Sequence, residues 1–375
     1  MRVGICSWWF NRGQAVVGRQ LRSVLDGLGH ETFVLARPAR PNAPKPSFID
    51  RGDVWDQPGV TEASAFEIPL AEYEDFAAAN ELEAIFFDQN YQLAEIARLR
   101  ASGVRTIGRF VWEAFSPDHV SEAREALDVI YSMTACERDR YQELGIESPR
   151  VHWGIHPELL GGAPDAGGGA AGVAAGRSGA ANGGDPVVFF FPGGYMTKRK
   201  PLGAVLSAFS SVGSDRARLL VKAQVDRKAK RLKEAASVDP RIELITADLS
   251  TAEYQGLFAS ADVCLAPSRW EGLGLHLFEA TAMGLPIITN DNPPMNEIVE
   301  DDLNGVLVAG IEAEEPSPSG VPSFDPDRLE LAAAIERLID NDERSRLVAG
   351  TAQMRERLRW DRTVGDVEAL LKRVS

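Results

Sequence analysis

The chain has 375 residues, too many for one ordinary domain, and its 44% hydrophobic and 25% charged shares are globular values, so two α/β domains are expected. Lys and Arg number 40 against 55 Asp and Glu, and the resulting −15, with a pI near 4.9, argues against a nucleic-acid partner. Cys6, Cys136 and Cys264 have neither a disulfide nor a zinc spacing, and no run approaches the ~20 apolar residues of a membrane span, so a cytoplasmic protein is expected.

Arg2 to Cys6 reads as a first strand, Gln14 to Leu28 as an amphipathic helix closed by Gly29, and Glu31 to Ala36 as a second strand. That order opens a doubly wound sheet. Arg19, Arg22, Arg37, Arg40, Lys45 and Arg51 gather here and read as a solvated face. Residues 37 to 80 are Pro- and acid-rich and weakly periodic, so loops with little regular structure are expected. Ala84 to Phe87 is a strand, Tyr91 to Arg100 a helix, and Val104 to Val111 a further strand. A short strand over Asp128 to Ser132, a helix over Ala135 to Leu144 and the run Arg150 to His156 complete the first half.

From Gly161 to Pro186 the chain is almost all Gly and Ala, with Val173 its one larger aliphatic residue. Such a segment buries too little to offset its ordering entropy and marks a linker. The expected division is 1–160, the linker 161–186, a second domain over 187–358, and a last helix over 359–375.

Val187 to Phe191 restarts a sheet, and the loop Gly193 to Lys200 leads through Pro201 into a helix with Leu202, Val205, Leu206 and Phe209 inside. Lys200 then lies beside free helix amides, where a phosphate would gather both. Strands follow at Arg218 to Val221, Ile242 to Ile245, Val263 to Ala266 and Pro286 to Thr289, with helices between them, and Gly305 to Val308 is the last. Residues 311 to 326 read as a Pro/Ser loop. Within it Asp325-Pro326-Asp327 spells a metal-diphosphate triplet, but no strand precedes it and it reads as the start of a helix.

The densest chemistry lies between Pro267 and Asn290. Gly272 and Gly274 bring backbone amides close to any ligand, and from Leu275 the apolar residues Leu275, Leu277, Phe278, Ala282 and Met283 fit a helix ending at Gly284 and Pro286. Free amides and the positive end of the helix dipole coincide at Gly272, Leu273, Gly274 and Leu275, a natural diphosphate seat. Glu271 and Glu279 flank that seat with seven residues between them. Carboxylates repel phosphate, so their work is to accept hydrogen bonds from hydroxyls. A sugar nucleotide has this layout of sugar hydroxyls, diphosphate and ribose hydroxyls.

Glu271-Gly-Leu-Gly-Leu-x-x-x-Glu279, followed by Ala280, Ala282, Gly284 and Pro286, resembles the Glu-x7-Glu signature of retaining GT-B glycosyltransferases of the group 1 (family 4) type. The resemblance is sharp over about 187–310 and loose over 1–157. It implies a GT-B fold, two Rossmann-like domains facing a cleft, with a nucleotide-diphosphate sugar as donor substrate, a hydroxyl acceptor, and no cofactor or metal. It gives Glu279 the nucleotide ribose, Glu271 the transferred sugar, Lys200 the diphosphate, Thr246 a place near the nucleobase, and Gly13 a place in the loop facing the cleft; Lys198 and Arg199 are near enough to stand in for the second cation of the diphosphate clamp. The final helix from Trp360 would cross back onto the first domain.

The chain departs from the pattern in several places. Tyr195 stands where an arginine is expected, Val111 where a cleft histidine is common, and His276 where proline is usual. Glu113 or His119 are the other polar residues near the Val111 position. The run after Arg150 reads Trp153-Gly154-Ile155-His156 in place of Asn-Gly-Val-Asp, and the first loop carries Trp8 and Trp9 where a glycine pair is common. Two other readings therefore stand beside the transferase: a nucleotide-sugar epimerase or hydrolase, and a non-catalytic glycan- or nucleotide-binding scaffold. Nucleobase, donor sugar, acceptor and oligomeric state are not legible.

Overall fold

A computed structural model describes residues 1–43, 45, 47–161, 185–195, 197–224, 233–234, 236–313, 317 and 320–374. The expected linker, apart from its ends, lies outside these residues, as does most of the helix expected before Ile242. Two compact units are present: unit 1 comprises Met1–Trp153 with Asp361–Ser375, and unit 2 comprises Gly154–Trp360.

Unit 1 is built on six parallel strands, β1 (Arg2–Trp8), β2 (Glu31–Arg37), β3 (Val60–Glu62), β4 (Ala84–Asp88), β5 (Arg105–Arg109) and β6 (Val129–Ile130). Their spatial order is β3-β2-β1-β4-β5-β6, so the winding reverses between β1 and β4. The helices are α1 (Gly13–Gly27), α2 (Leu70–Ala79), α3 (Leu93–Ala101), α4 (Val120–Ala126) and α5 (Ala135–Glu143). Ile85, Phe87, Phe110, Phe115 and Tyr141 belong to the core on one face of the sheet. Residues 37–80 are more regular than their composition suggests. There β3 extends the sheet beside β2, and α2 buries Tyr73, Phe76 and Ala77. Three buried apolar residues among acidic neighbours suffice because the sheet face, not helix propensity, supplies the stability.

The basic residues of this region do not form one solvated face. Arg22 is buried and donates to Thr32 and to the carbonyl of Pro58, while Arg37 lies over the Phe66 ring and donates to its carbonyl. Arg109, beneath the sheet's C-terminal edge, sits between the buried carboxylates of Asp88 and Glu137, 3.3 Å from each.

Unit 2 repeats the architecture with β7 (Val187–Tyr195), β8 (Ala217–Gln224), β9 (Ile242–Ile245), β10 (Val263–Leu265), β11 (Ile287–Asn290) and β12 (Gly305–Val308). All pair in parallel in the order β12-β11-β10-β7-β8-β9, so the reversal falls between β7 and β10. Phe189, Phe191, Val221, Val263, Leu265 and Ile288 are fully closed to solvent, as sheet residues covered on both faces must be. Among the described residues the helices of this unit include α6 (Pro157–Gly161), α7 (Leu202–Ser211), α8 (Thr251–Ser260), α9 (Leu275–Ala282), α10 (Arg328–Arg337) and α11 (Asn341–Arg357). β7 runs on to Tyr195, with an irregular register at Pro192/Gly194, where a loop was expected from Gly193. The ends of the expected Pro/Ser loop are likewise ordered, as the antiparallel pair β13 (Gly310–Glu312) and β14 (Phe324–Pro326).

The last helix, α12 (Trp360–Lys372), belongs to unit 1 from Asp361 onward. Thr363, Val367, Leu370 and Leu371 are buried. Asp366 accepts from the His152 backbone and lies 2.8 Å from its Nδ1, and Thr363 donates to the His152 carbonyl.

Candidate active site

Ligand sites in doubly wound sheets form beyond the strand C-termini where the winding reverses. In unit 2 that place is reached by the segments leaving β7 and β10, which carry Lys200 and Glu271. Lys200 Nζ donates to Glu271 Oε1 at 2.6 Å and to Ser268 Oγ at 2.9 Å, and Ser268 Oγ is itself 2.9 Å from Glu271 Oε1. Arg199 Nη1 stands 3.5 Å from the other carboxylate oxygen. Both partners of the central pair are nearly closed to solvent, with side-chain exposures of 5% and 6%.

Burial disfavours both charges of the pair, and it pulls the Lys200 ammonium down. At Glu271 burial is outweighed by Arg199 and Lys200, which hold its carboxyl well below the usual carboxylate range. Two cations, Lys200 and Arg199, thus share the Glu271 carboxylate.

The two segments are tied together by Arg269, a residue that no motif of the sequence announces. Its backbone donates to the Arg199 carbonyl, and its guanidinium donates to the Lys198 carbonyl and grips both carboxylate oxygens of Asp325 at 2.7 and 3.2 Å. Asp325 is therefore the far anchor of this staple. Asp327 accepts from the amides of Leu329 and Glu330 and caps α10, as the helix-start reading of that triplet expects.

Past Glu271, Gly274 takes a left-handed φ of 78° as the residue before α9, a conformation favoured by its missing Cβ. Gly272 and Leu273 lie buried between the carboxylate and that glycine, and Leu275 begins the helix. The Leu277 amide donates to the Gly274 carbonyl, and the amides ahead of it, which a helix leaves without internal partners, follow directly on the charged cluster. Glu279, on the next turn, takes no part in the Lys200 cluster. It accepts a long 3.5 Å bond from Tyr254 of α8, and burial raises its carboxyl to about 7, with the Glu158 charge adding to the rise.

His276, also on the first turn of α9, is buried, and burial together with the Lys200 charge pushes its imidazole down to about 3, so it is neutral at physiological pH. In the sequence it is marked only by standing where proline is usual. Thr246 follows β9, the outermost strand on its side of the sheet, two strands from β7, and is partly buried. Gly13 begins α1 in unit 1 and is exposed. Tyr195 ends β7, and its side chain lies outside the described atoms.

In unit 1 His119, one of the alternatives to the missing histidine, has a structural duty. His119 Nδ1 closes a capping box with Ser116, and its ring packs against Tyr91 and Phe115. Trp9 is wholly buried, donates to the Trp55 carbonyl and meets the Trp55 ring edge-on, whereas the half-exposed Trp8 stacks on Phe10 at 5.5 Å.

Residues 186–341 match the family of Glycosyl transferases group 1. The C-terminal unit is a group 1 glycosyltransferase domain. Stretches of the chain are similar to curated proteins: 32% identity over 116 residues to a D-inositol 3-phosphate glycosyltransferase of Salinispora tropica, and 28% over 111 residues to the alpha-D-kanosaminyltransferase of Streptomyces kanamyceticus. Those stretches cover 31% and 29% of this chain but only 21% and 25% of the two relatives. Whole-chain likeness exists at the level of fold. Sucrose-phosphate synthase from Thermosynechococcus elongatus superimposes over 99% of this chain and 98% of its own, with a TM-score of 0.72 and 16% identity. An Anabaena protein in complex with UDP-glucose does so over 99% and 100%, with a TM-score of 0.69 and 12% identity. The two-sheet architecture is that of the GT-B glycosyltransferases.

Proposed function

We propose that the chain is a retaining glycosyltransferase that moves a hexosyl unit from a nucleotide-diphosphate sugar to a hydroxyl of an acceptor. The observation that carries this reading is the buried cluster of Lys200, Arg199, Ser268 and Glu271 at the winding reversal of the glycosyltransferase domain, directly before the Gly274 turn and α9.

In the reaction, the bond between the anomeric carbon and the diphosphate oxygen breaks and a bond from that carbon to the acceptor oxygen forms. Lys200, Arg199 and the amides of residues 272–275 stabilise the charge that develops on the leaving diphosphate. That oxygen takes the acceptor proton on the face from which it departs, so the anomeric configuration is kept. Glu271 accepts a hydroxyl of the transferred sugar and Glu279 the ribose hydroxyls; no step is assigned to a metal.

A thermal-shift panel of UDP-, GDP-, ADP- and dTDP-sugars tests the donor assignment, since a ligand at one hundred times its Kd stabilises by about 2.7 kcal/mol. The expected result is a shift with one nucleotide class, and release of that nucleoside diphosphate when a hydroxyl acceptor is supplied. No shift with any member overturns the assignment. Release at the same rate without acceptor favours a hydrolase.

A further inference from the structure

His276 lies five residues after Glu271, on the first turn of α9, and only 9% of its surface is exposed. Its ring Nε2 is buried and has no hydrogen-bond partner among the described residues. Such an atom is costly to keep unless something not belonging to the chain satisfies it. The charges that bear on the ring are Lys200, Glu271 and Arg199, the three charged side chains of the cluster. The imidazole therefore lies within electrostatic reach of the ion pair, on the helix turn that follows Glu271 and the Gly274 turn.

What Nε2 would meet there follows from what the pocket already supplies. Lys200, Arg199 and the helix amides can serve the phosphates, and a neutral imidazole adds little to them. A hydroxyl both donates and accepts, so it satisfies Nε2 in either tautomer, whereas a phosphate oxygen satisfies only the protonated one. Resting on the donor reading above, we infer that His276 Nε2 hydrogen-bonds a hydroxyl of the transferred glycosyl unit, next to the one Glu271 accepts, and so selects among donor sugars.

Calorimetry with UDP-glucose and with UDP, or the matching pair for whichever nucleotide the panel selects, separates this role from phosphate binding. H276L removes the polar atom, and H276Q returns an amide nitrogen near the place of Nε2. All three proteins should bind the free nucleoside diphosphate alike. The intact donor should lose about tenfold or more in affinity for H276L and recover most of it for H276Q, as expected for one hydrogen bond to a substrate hydroxyl. One monodeoxy-sugar donor should be weakened for the wild type but not weakened further for H276L.

Equal binding of donor by H276L and wild type, or equal weakening of donor and free nucleotide, overturns the inference alone. A wild type that binds no sugar nucleotide overturns it together with the donor reading. Should H276L fail to fold by circular dichroism, H276M takes its place, and the deoxy series on H276M against H276Q decides the same question.

Discussion

Lys200 and Glu271 hold each other at 2.6 Å out of reach of solvent, so neither can be removed alone without stranding the other. K200M takes the nearest cation from Glu271 and leaves Arg199 at 3.5 Å, and breaking a buried pair in this way costs about 3–5 kcal/mol. The double variant K200M/E271Q removes both charges and should regain most of that stability in chemical denaturation. Turnover should stay about a hundredfold or more down in both, because the stabilisation of the leaving diphosphate is gone. A double variant with restored activity would show that the pair is structural. Glu279 gives a pH-dependent counterpart. Its carboxyl stands at about 7 in the folded chain against an ordinary 4.5. With the folded value raised, its stability contribution is complete below about 4.5 and is lost as pH climbs through 7, a penalty of at most about 3 kcal/mol. E279Q should therefore raise Tm at pH 8 and leave it unchanged near pH 4, while weakening free nucleotide if the residue holds the ribose. E271Q should instead spare free nucleotide and impair transfer.

The junction between Gly274 and α9 makes one geometric demand that can be tested without ligand. A Cβ at Gly274 would meet Leu277 Cδ1 at 3.1 Å, and the left-handed φ adds roughly 1–2 kcal/mol for any other residue. G274A should lower Tm by a few degrees and cost more in nucleoside diphosphate affinity than in stability; loss of stability with full affinity would show that the turn does not touch phosphate. This turn was legible because glycine spacing, helix start and flanking carboxylates all fall within one short run. The sheet strands were legible for a similar reason, since strands buried on both faces read as unbroken apolar runs. By contrast, α2 has only Tyr73, Phe76 and Ala77 to show, set among acids. The Arg269–Asp325 grip joins residues far apart in the chain, and no local pattern announces it. His276 was visible only as an unusual residue; its unsatisfied Nε2 is a fact of packing.

At the scale of the molecule, unit 1 is made of two pieces of chain, and its second piece is the last helix. Leu370 and Leu371 are buried there at 2% and 3% exposure. L370D should unfasten α12 and strip hydrogen-exchange protection from β1 to β6 while β7 to β12 keep theirs; equal loss in both sheets would show that the units unfold as one. The split also sets a folding order. Bringing the ends of a flexible loop of about two hundred residues together costs roughly 5 kcal/mol by the logarithmic law. Folded unit 2 has already done so: the Ile155 amide donates to the Leu358 carbonyl at 2.8 Å, and the His156 ring meets the Trp360 ring edge-on at 4.7 Å. The entropy of closing unit 1 on its own last helix thus falls on unit 2, which acts on it as a crosslink would. In refolding, α12 should join its sheet only after unit 2 has formed, so that a lesion in unit 2 slows the maturation of unit 1, whereas a lesion in α12 leaves unit 2 on schedule.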